Sequence, residues 1–201
     1  MKIRAPLMAA LLLAACELPP VGLSTAYVWP AEPVDVVMPA NAPSIRQQFK
    51  PPPSPDLFGE GHFGIDVVGP VGAPILAPAA GRVHASFVEP FYGAQLILEH
   101  GPDASGRRWR TRYWHLNTRD VKVGQMVARG QKIAGLGRTG VLAGGILHLH
   151  FEVLREEKPG TFKPLDPQLL WIDGVGRVTC FDPSQSYSER PFRITYPVQC
   201  L

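Results

Sequence analysis

From Phe58 onward, polar and apolar positions change in short blocks, and no stretch keeps the three-to-four spacing of a buried helix face. Residues 64–68, 82–88, 95–100, 108–115, 131–136 and 147–154 form short apolar runs with a β-branched and aromatic bias. Gly, Pro and Asp bound them, and the pattern predicts strands. Many short strands at this spacing imply an all-β architecture, a small antiparallel sandwich or barrel-like domain. About a hundred residues suffice for one such core. Only residues 166–171 read as helical, with Asp166 as N-cap and Pro167 at the first position.

Upstream the pattern is different. Between residues 17 and 56 prolines stand at 19, 20, 30, 33, 39, 43, 51, 52, 53 and 55. Proline removes ladder donors and favours extended polyproline conformations, so this stretch is expected to form no sheet core and to act as a semi-rigid spacer. Tyr27, Val28 and Trp29 are an apolar exception, suited to docking on the folded domain. The expected organisation is residues 1–15 as a signal peptide, 16–57 as a Pro-rich tether, 58–158 as the compact β domain and 159–201 as a C-terminal extension.

The signal reading rests on Lys2 and Arg4, followed by an apolar run too short to span a bilayer as a stable helix. It closes on Leu13-Ala14-Ala15-Cys16, which resembles the lipobox of bacterial lipoproteins: small residues before the cut, then a thiol to carry the lipid. That predicts an exported lipoprotein held in a membrane through acylated Cys16, since several acyl chains make a stable anchor. Glu17 stands where an aspartate commonly retains such proteins at the inner membrane, which favours the inner leaflet of the outer membrane in a Gram-negative cell. With Cys16 modified, Cys180 and Cys200 are an even pair, expected to form a disulfide in an oxidising compartment. Its loop of 20 residues gives about 3 kcal/mol in the chain-entropy model. Loss of Lys2 and Arg4 leaves 18 of the 20 basic residues against 17 acidic ones. A net charge near +1 excludes the strong basic field that nucleic-acid binding needs.

The chemistry concentrates in three segments: His62-Phe63-Gly64-Ile65-Asp66, Tyr113-Trp114-His115-Leu116 and His148-Leu149-His150-Phe151-Glu152. A hydrolytic zinc site needs a few nitrogen and oxygen ligands with one position left for water, and proton-handling groups beside it. Imidazole serves both needs near neutral pH. On a strand, His148 and His150 share one face, with Leu149 and Phe151 on the other. His62 and Asp66 would stand about 13 Å apart if fully extended, so Gly61 and Gly64 are the expected bends that bring them together. His84 and His100 lack neighbours at ligand spacing and are expected in surface or turn roles. Lys122 and Lys132 are expected to be solvated.

His62-x-Gly64-x-Asp66, Tyr113-x-His115-Leu116, Val121-Lys122-Val123-Gly124-Gln125-x-Val127-x-x-Gly130-Gln131-x-Ile133, Gly137-x-Thr139-Gly140 and His148-Leu149-His150-Phe151-Glu152 follow one another in that order. Together they resemble the lysostaphin-type, or LytM-like, zinc endopeptidases of peptidase family M23, which cut peptide bridges in bacterial cell walls. The resemblance runs over residues 58–154. It implies a small antiparallel β domain, with His62, Asp66 and His150 holding zinc and His115 and His148 as catalytic histidines. One departure stands out. Where family members carry a short Ser-Thr-Gly-Pro-like turn before the HxH strand, this chain has the longer, more apolar Val141-Leu142-Ala143-Gly144-Gly145-Ile146-Leu147, which bears on substrate choice.

The resemblance implies a Zn2+-dependent endopeptidase acting on the peptide part of peptidoglycan, with protein regulators an open matter. The alternative is a non-catalytic relative that binds the wall or activates amidases; such relatives typically lack one or more ligands, whereas all five positions are filled here. The Val-x-Val-Gly-Gln run also resembles biotinyl and lipoyl carrier domains. Neither Lys122 nor Lys132 has the hairpin-tip setting that those require, so the carrier is set aside.

Overall fold

A computed structural model of the chain describes residues 34–52 and 61–201. The signal segment, Cys16 and the Tyr27-Val28-Trp29 triplet lie outside the described residues. Eleven strands are described, and all pair antiparallel. They are β1 (Ile45–Gln47), β2 (Ile65–Val68), β3 (Pro74–Leu76), β4 (Gly81–Glu89), β5 (Gly93–His100), β6 (Trp109–Leu116), β7 (Thr118–Arg119), β8 (Met126–Val127), β9 (Lys132–Gly135), β10 (His148–Lys158) and β11 (Thr161–Leu165). An eight-stranded sheet runs β1-β2-β10-β6-β5-β4-β8, with β11 paired to β10, and a three-stranded sheet runs β3-β9-β7. Among the described residues no helix is long and apolar enough to cross a membrane.

Period-two alternation sorts the strands into a core face and a second face. Ile65 and Val67 of β2, Leu96 and Leu98 of β5, Tyr113 of β6, and Leu149, Phe151 and Val153 of β10 join Ile75 and Ile133 of the smaller sheet in one core. The six runs expected as strands are all present. β1, β3, β7, β8 and β11 were not expected: each spans two to five residues, too short for a pattern, and β3 and β11 each contain a proline. The expected helix is a single 3-10 turn, Pro167–Leu169, and the Asp166 carboxylate accepts from the Gln168 backbone amide at 2.9 Å as an N-cap does.

Two expected boundaries shift. Residues 34–52, assigned to a spacer, lie against the domain: Val36, Met38, Ala42 and Ile45 pack on the core, and β1 adds an edge strand to β2. Prolines at 39 and 43 do not prevent this, because an edge strand of three residues needs few ladder donors. Residues 159–201 are likewise no appendage. Leu170, Trp171, Val178, Phe192, Ile194, Tyr196 and Val198 complete the core, and Phe192 stacks on Trp109 at 4.7 Å between ring centroids. Beyond β11 the tail shows no sequence period because its pairings are single bridges, such as Trp171 with Ile194 and Ile75 with Val198. A disulfide joins Cys180 and Cys200, as expected, with Cα atoms 6.0 Å apart.

Candidate metal centre

The site lies on the second face of the sheet, where β2, β10 and β6 run side by side. The register sets His150 opposite Asp66 on one neighbour and opposite Trp114 on the other. Since Leu149 and Phe151 point to the core, His148, His150 and Glu152 share the opposite face with Asp66. His62 arrives from the turn before β2. Gly64 makes that turn possible: a Cβ there would run into the carbonyl of Phe151, so only glycine lets the chain pass close enough to β10.

His115 reaches this face by a different route. Strict alternation would send it to the core beside Tyr113. Between β5 and β6, however, the pairs Ala94–Leu116 and Leu96–Tyr113 leave Gln95 opposite two residues, Trp114 and His115. That is a β-bulge, and His115 takes φ 64°, the one non-glycine positive φ among the described residues. A left-handed backbone at a histidine costs free energy and persists where surroundings over-determine it. Here the His115 backbone amide donates to Tyr92 O at 3.1 Å, and its side chain is fixed by Thr139. The bulge turns the imidazole toward His148, with ring centroids 4.7 Å apart.

All five candidate residues therefore meet in one place, lining a cleft of about 370 Å³ with Gln47, Phe63, Tyr92, Trp114, Leu142 and Glu152. His62 Nε2 lies 3.1 Å from Asp66 Oδ1 and 3.1 Å from His150 Nδ1, while His150 Nδ1 lies 2.9 Å from Asp66 Oδ1. His148 Nε2 is 3.9 Å from the same carboxylate oxygen. His84 and His100 are elsewhere. His84 is exposed near Glu99. His100 corrects the surface assignment, being buried with Nδ1 on Ala80 O at 2.8 Å and Nε2 on Thr111 Oγ1 at 2.9 Å. Lys132 pairs with Asp120 at 3.0 Å.

The outward nitrogens decide which atoms face the centre. His62 Nδ1 sits 2.8 Å from the Gln48 carbonyl, which only accepts, so this nitrogen carries the proton and Nε2 presents a lone pair inward. His150 Nε2 likewise donates to Glu152 Oε1 at 3.3 Å, leaving Nδ1 inward. His115 Nδ1 donates to Thr139 O at 2.9 Å and His148 Nδ1 to Ile146 O at 3.1 Å. Imidazoles oriented through a carbonyl or carboxylate on the far nitrogen are the usual supports of metal ligands. With both imidazoles neutral, two lone pairs and an anionic oxygen at mutual contact repel unless a positive charge lies among them, a proton on His150 or a metal ion in its place. Their spacing is close to the roughly 3.3 Å between donors around a tetrahedral ion with bonds of about 2.0–2.1 Å. His62, Asp66 and His150 thus fit a borderline cation such as zinc.

The electrostatics point the same way. Burial disfavours a charge on His150, but the hydrogen bonds and charges of Asp66 and Glu152 outweigh it and raise its pKa to about 9. Burial also works against the Asp66 carboxylate, yet the His150 and His62 hydrogen bonds hold it well below the usual carboxylate range. The centre is built to hold positive charge. His115 behaves oppposite to His150: burial, with the neighbouring His148 and His150 charges, lowers it to about 4 against the Thr139 hydrogen bond, so it is a neutral acceptor at pH 7.

Several supporting residues were not assigned from sequence. Glu152, buried behind His150, is held by Arg112 at 3.1 Å. Trp114 stacks on His150 at 4.5 Å and on Tyr92 at 4.0 Å between centroids. Glu152 stood within the histidine motif, but its partner Arg112 sits on β6 and becomes visible only through the strand register. Leu142, from the apolar loop that departs from the family pattern, lines the cleft. The backbone amides of Val141 and Leu142 donate to Pro90 and Phe91 across the top of the β4–β5 hairpin.

The family model for peptidase family M23 matches residues 60–164, just over half of the chain. Peptidoglycan DD-endopeptidase ShyB of Vibrio cholerae is 44% identical over 98 residues, covering 49% of this chain and 21% of that protein. Murein hydrolase activator NlpD of Escherichia coli is 38% identical over 94 residues, covering 46% and 23%. The crystal structure of a zinc containing peptidase from Vibrio cholerae aligns with TM-score 0.52 at 35% identity, over 66% of this chain and 38% of that one. The chain spans about a fifth of the length of curated relatives such as the DD-endopeptidases of Vibrio cholerae. The family match runs from just before His62 to beyond Glu152 and so takes in every residue of the centre: the chain belongs to peptidase family M23.

Proposed function

We propose that the protein is a zinc-dependent endopeptidase that hydrolyses peptide cross-links or bridges of peptidoglycan, anchored as a lipoprotein through Cys16. The observation that carries the reading is the convergence of three imidazoles on Asp66 Oδ1 with His115 packed beside His148 in the same cleft, each ring oriented by an acceptor on its far nitrogen. An activator that only binds the wall has no need of two further imidazoles beside the ligands.

Zinc held by His62 Nε2, Asp66 Oδ1 and His150 Nδ1 would polarise the scissile carbonyl and acidify the attacking water. The chain's own contribution is proton handling and orientation. His115 Nδ1 and His148 Nδ1 are held by backbone carbonyls, which leaves each Nε2 toward the cleft, and either imidazole, when neutral, accepts a proton from the attacking water and returns it to the leaving amine. Once protonated, that imidazolium also stabilises the oxyanion that develops on the substrate. Burial keeps His115 neutral, and the bulge holds it against His148. Trp114 and Tyr92 form an aromatic wall beside His150, and Leu142 supplies an apolar lip for the peptide.

The test is mass spectrometry of muropeptides after incubation of purified peptidoglycan with the zinc-loaded protein. New peptide-bond cleavage products are expected. The His148→Ala protein should keep its zinc and lose about a hundredfold or more in rate. Stoichiometric zinc without cleavage products would favour the activator reading, which the 38% identity to NlpD makes the natural second choice.

A further inference from the structure

Both ends of the described chain, outside the segment matched by the family model, reach the metal centre through one chain of hydrogen bonds. It starts in the C-terminal extension. Trp171, fully buried, donates its Nε1–H to Gln168 Oε1 at 2.6 Å. Indole only donates, so the oxygen of the Gln168 amide must face it and the nitrogen must face the other way. That nitrogen donates to Gln48 Oε1 at 2.9 Å. The backbone carbonyl of Gln48 in turn accepts from His62 Nδ1 at 2.8 Å.

Gln168 is almost wholly buried, and its main chain is tied down as well. Its amide donates to Asp166 Oδ1 at 2.9 Å, and its carbonyl accepts from the Gly176 amide at 2.8 Å. It is therefore a fixed point. Gln48 is not fixed by the sheet. β1 ends at Gln47 with an irregular register against β2, and the next backbone pairing is Lys50 with His62, at 2.8 and 2.7 Å. Between those two attachments the carbonyl that sets the His62 tautomer is aligned through the Gln48 side chain and Gln168.

We propose that Gln168 and Gln48 form a clamp that positions His62, so that the C-terminal extension sets the affinity of the metal centre. The clamp rests on the reading that His62 is a metal ligand. Gln168 and Gln48 are positioning residues, acting on the metal through His62. Outer hydrogen bonds of this kind are worth about tenfold to a hundredfold in metal affinity.

The experiment is a competition titration of zinc against a chromogenic chelator, with the full chain and its variants, alongside thermal unfolding of the metal-free proteins. Gln48→Met keeps the length of an exposed side chain and removes its acceptor. It should weaken zinc binding by about tenfold with the metal-free melting temperature unchanged. Gln48→Glu retains an acceptor oxygen for Gln168 and should restore near-native affinity. Gln168→Met should weaken zinc to the same degree, and the double Met variant should bind no more weakly than Gln168→Met alone, since both break one link. Native zinc affinity in Gln48→Met, or equal losses in Gln48→Met and Gln48→Glu, would overturn the clamp. A His62→Ala control separates the two levels. If it abolishes zinc binding while Gln48→Met leaves it intact, the clamp alone falls. If His62→Ala binds zinc as the native chain does, the ligand assignment falls and the clamp with it.

Discussion

His100 and His150 are both buried histidines on strands of the same sheet, and their surroundings drive them in opposite directions. Burial lowers His100 to about 4; the Ala80 hydrogen bond opposes this, and the Arg129 charge adds to it. His150 is raised to about 9 against its burial, because Asp66 and Glu152 flank both of its nitrogens. His100 donates to the neutral Ala80 carbonyl, and its other nitrogen accepts from the Thr111 hydroxyl, itself 2.8 Å from the Tyr113 hydroxyl. Every polar atom there is satisfied by an uncharged partner, so the ring is a structural strut. His150 has anions on both sides, and His62 adds a further lone pair. Burial alone makes a histidine neutral. Burial between carboxylates suits it to hold positive charge.

The largest break in this comparison comes from Asp66→Ala. It removes the shared anion, and zinc should fall from one equivalent to none by elemental analysis, with loss of hydrolysis. The next effect belongs to His100 and concerns stability. Its folded pKa lies below the value of about 6.5 in the unfolded chain. The unfolded chain takes up the proton first, so this contribution is complete above pH 6.5 and is lost as pH falls toward 4. The loss is about 3 kcal/mol over that window. Urea unfolding of the zinc-saturated protein should show it, and His100→Gln, lacking the titrating ring, should have a correspondingly shallower acid slope. The smallest effect sharpens the comparison. Glu152→Gln still offers His150 an acceptor but removes one of its two anions, making its setting more like that of His100. Zinc affinity should drop about tenfold by chelator competition while the melting temperature of the zinc-free protein changes little.

The same pair shows what the sequence could and could not say. His150 was legible because its partners repeat in local patterns: His148 two residues away on one strand face, and His62 with Asp66 across a glycine turn. His100 was expected in a surface or turn role outside the site, and it is outside the site but buried. Its partners, Ala80 and Thr111, lie 20 and 11 residues away and have no charge to advertise them. His115 was named as a site residue through the family resemblance; alternation along β6 would have pointed it into the core, and the bulge that turns it is a property of strand pairing. The six longer apolar runs announced their strands. The tail announced nothing, since its buried Trp171, Ile194, Tyr196 and Val198 are held by isolated bridges and side-chain packing. The N-terminal prolines concealed β1, whose neighbour Gln48 orients His62.

The most direct test of the account is anomalous diffraction at the zinc edge from crystals of the zinc-soaked protein. One strong peak is predicted within about 2.0–2.2 Å of His62 Nε2, Asp66 Oδ1 and His150 Nδ1, with His100 free of metal. A peak bound instead by His115 or His148, or none at this triad, would contradict it.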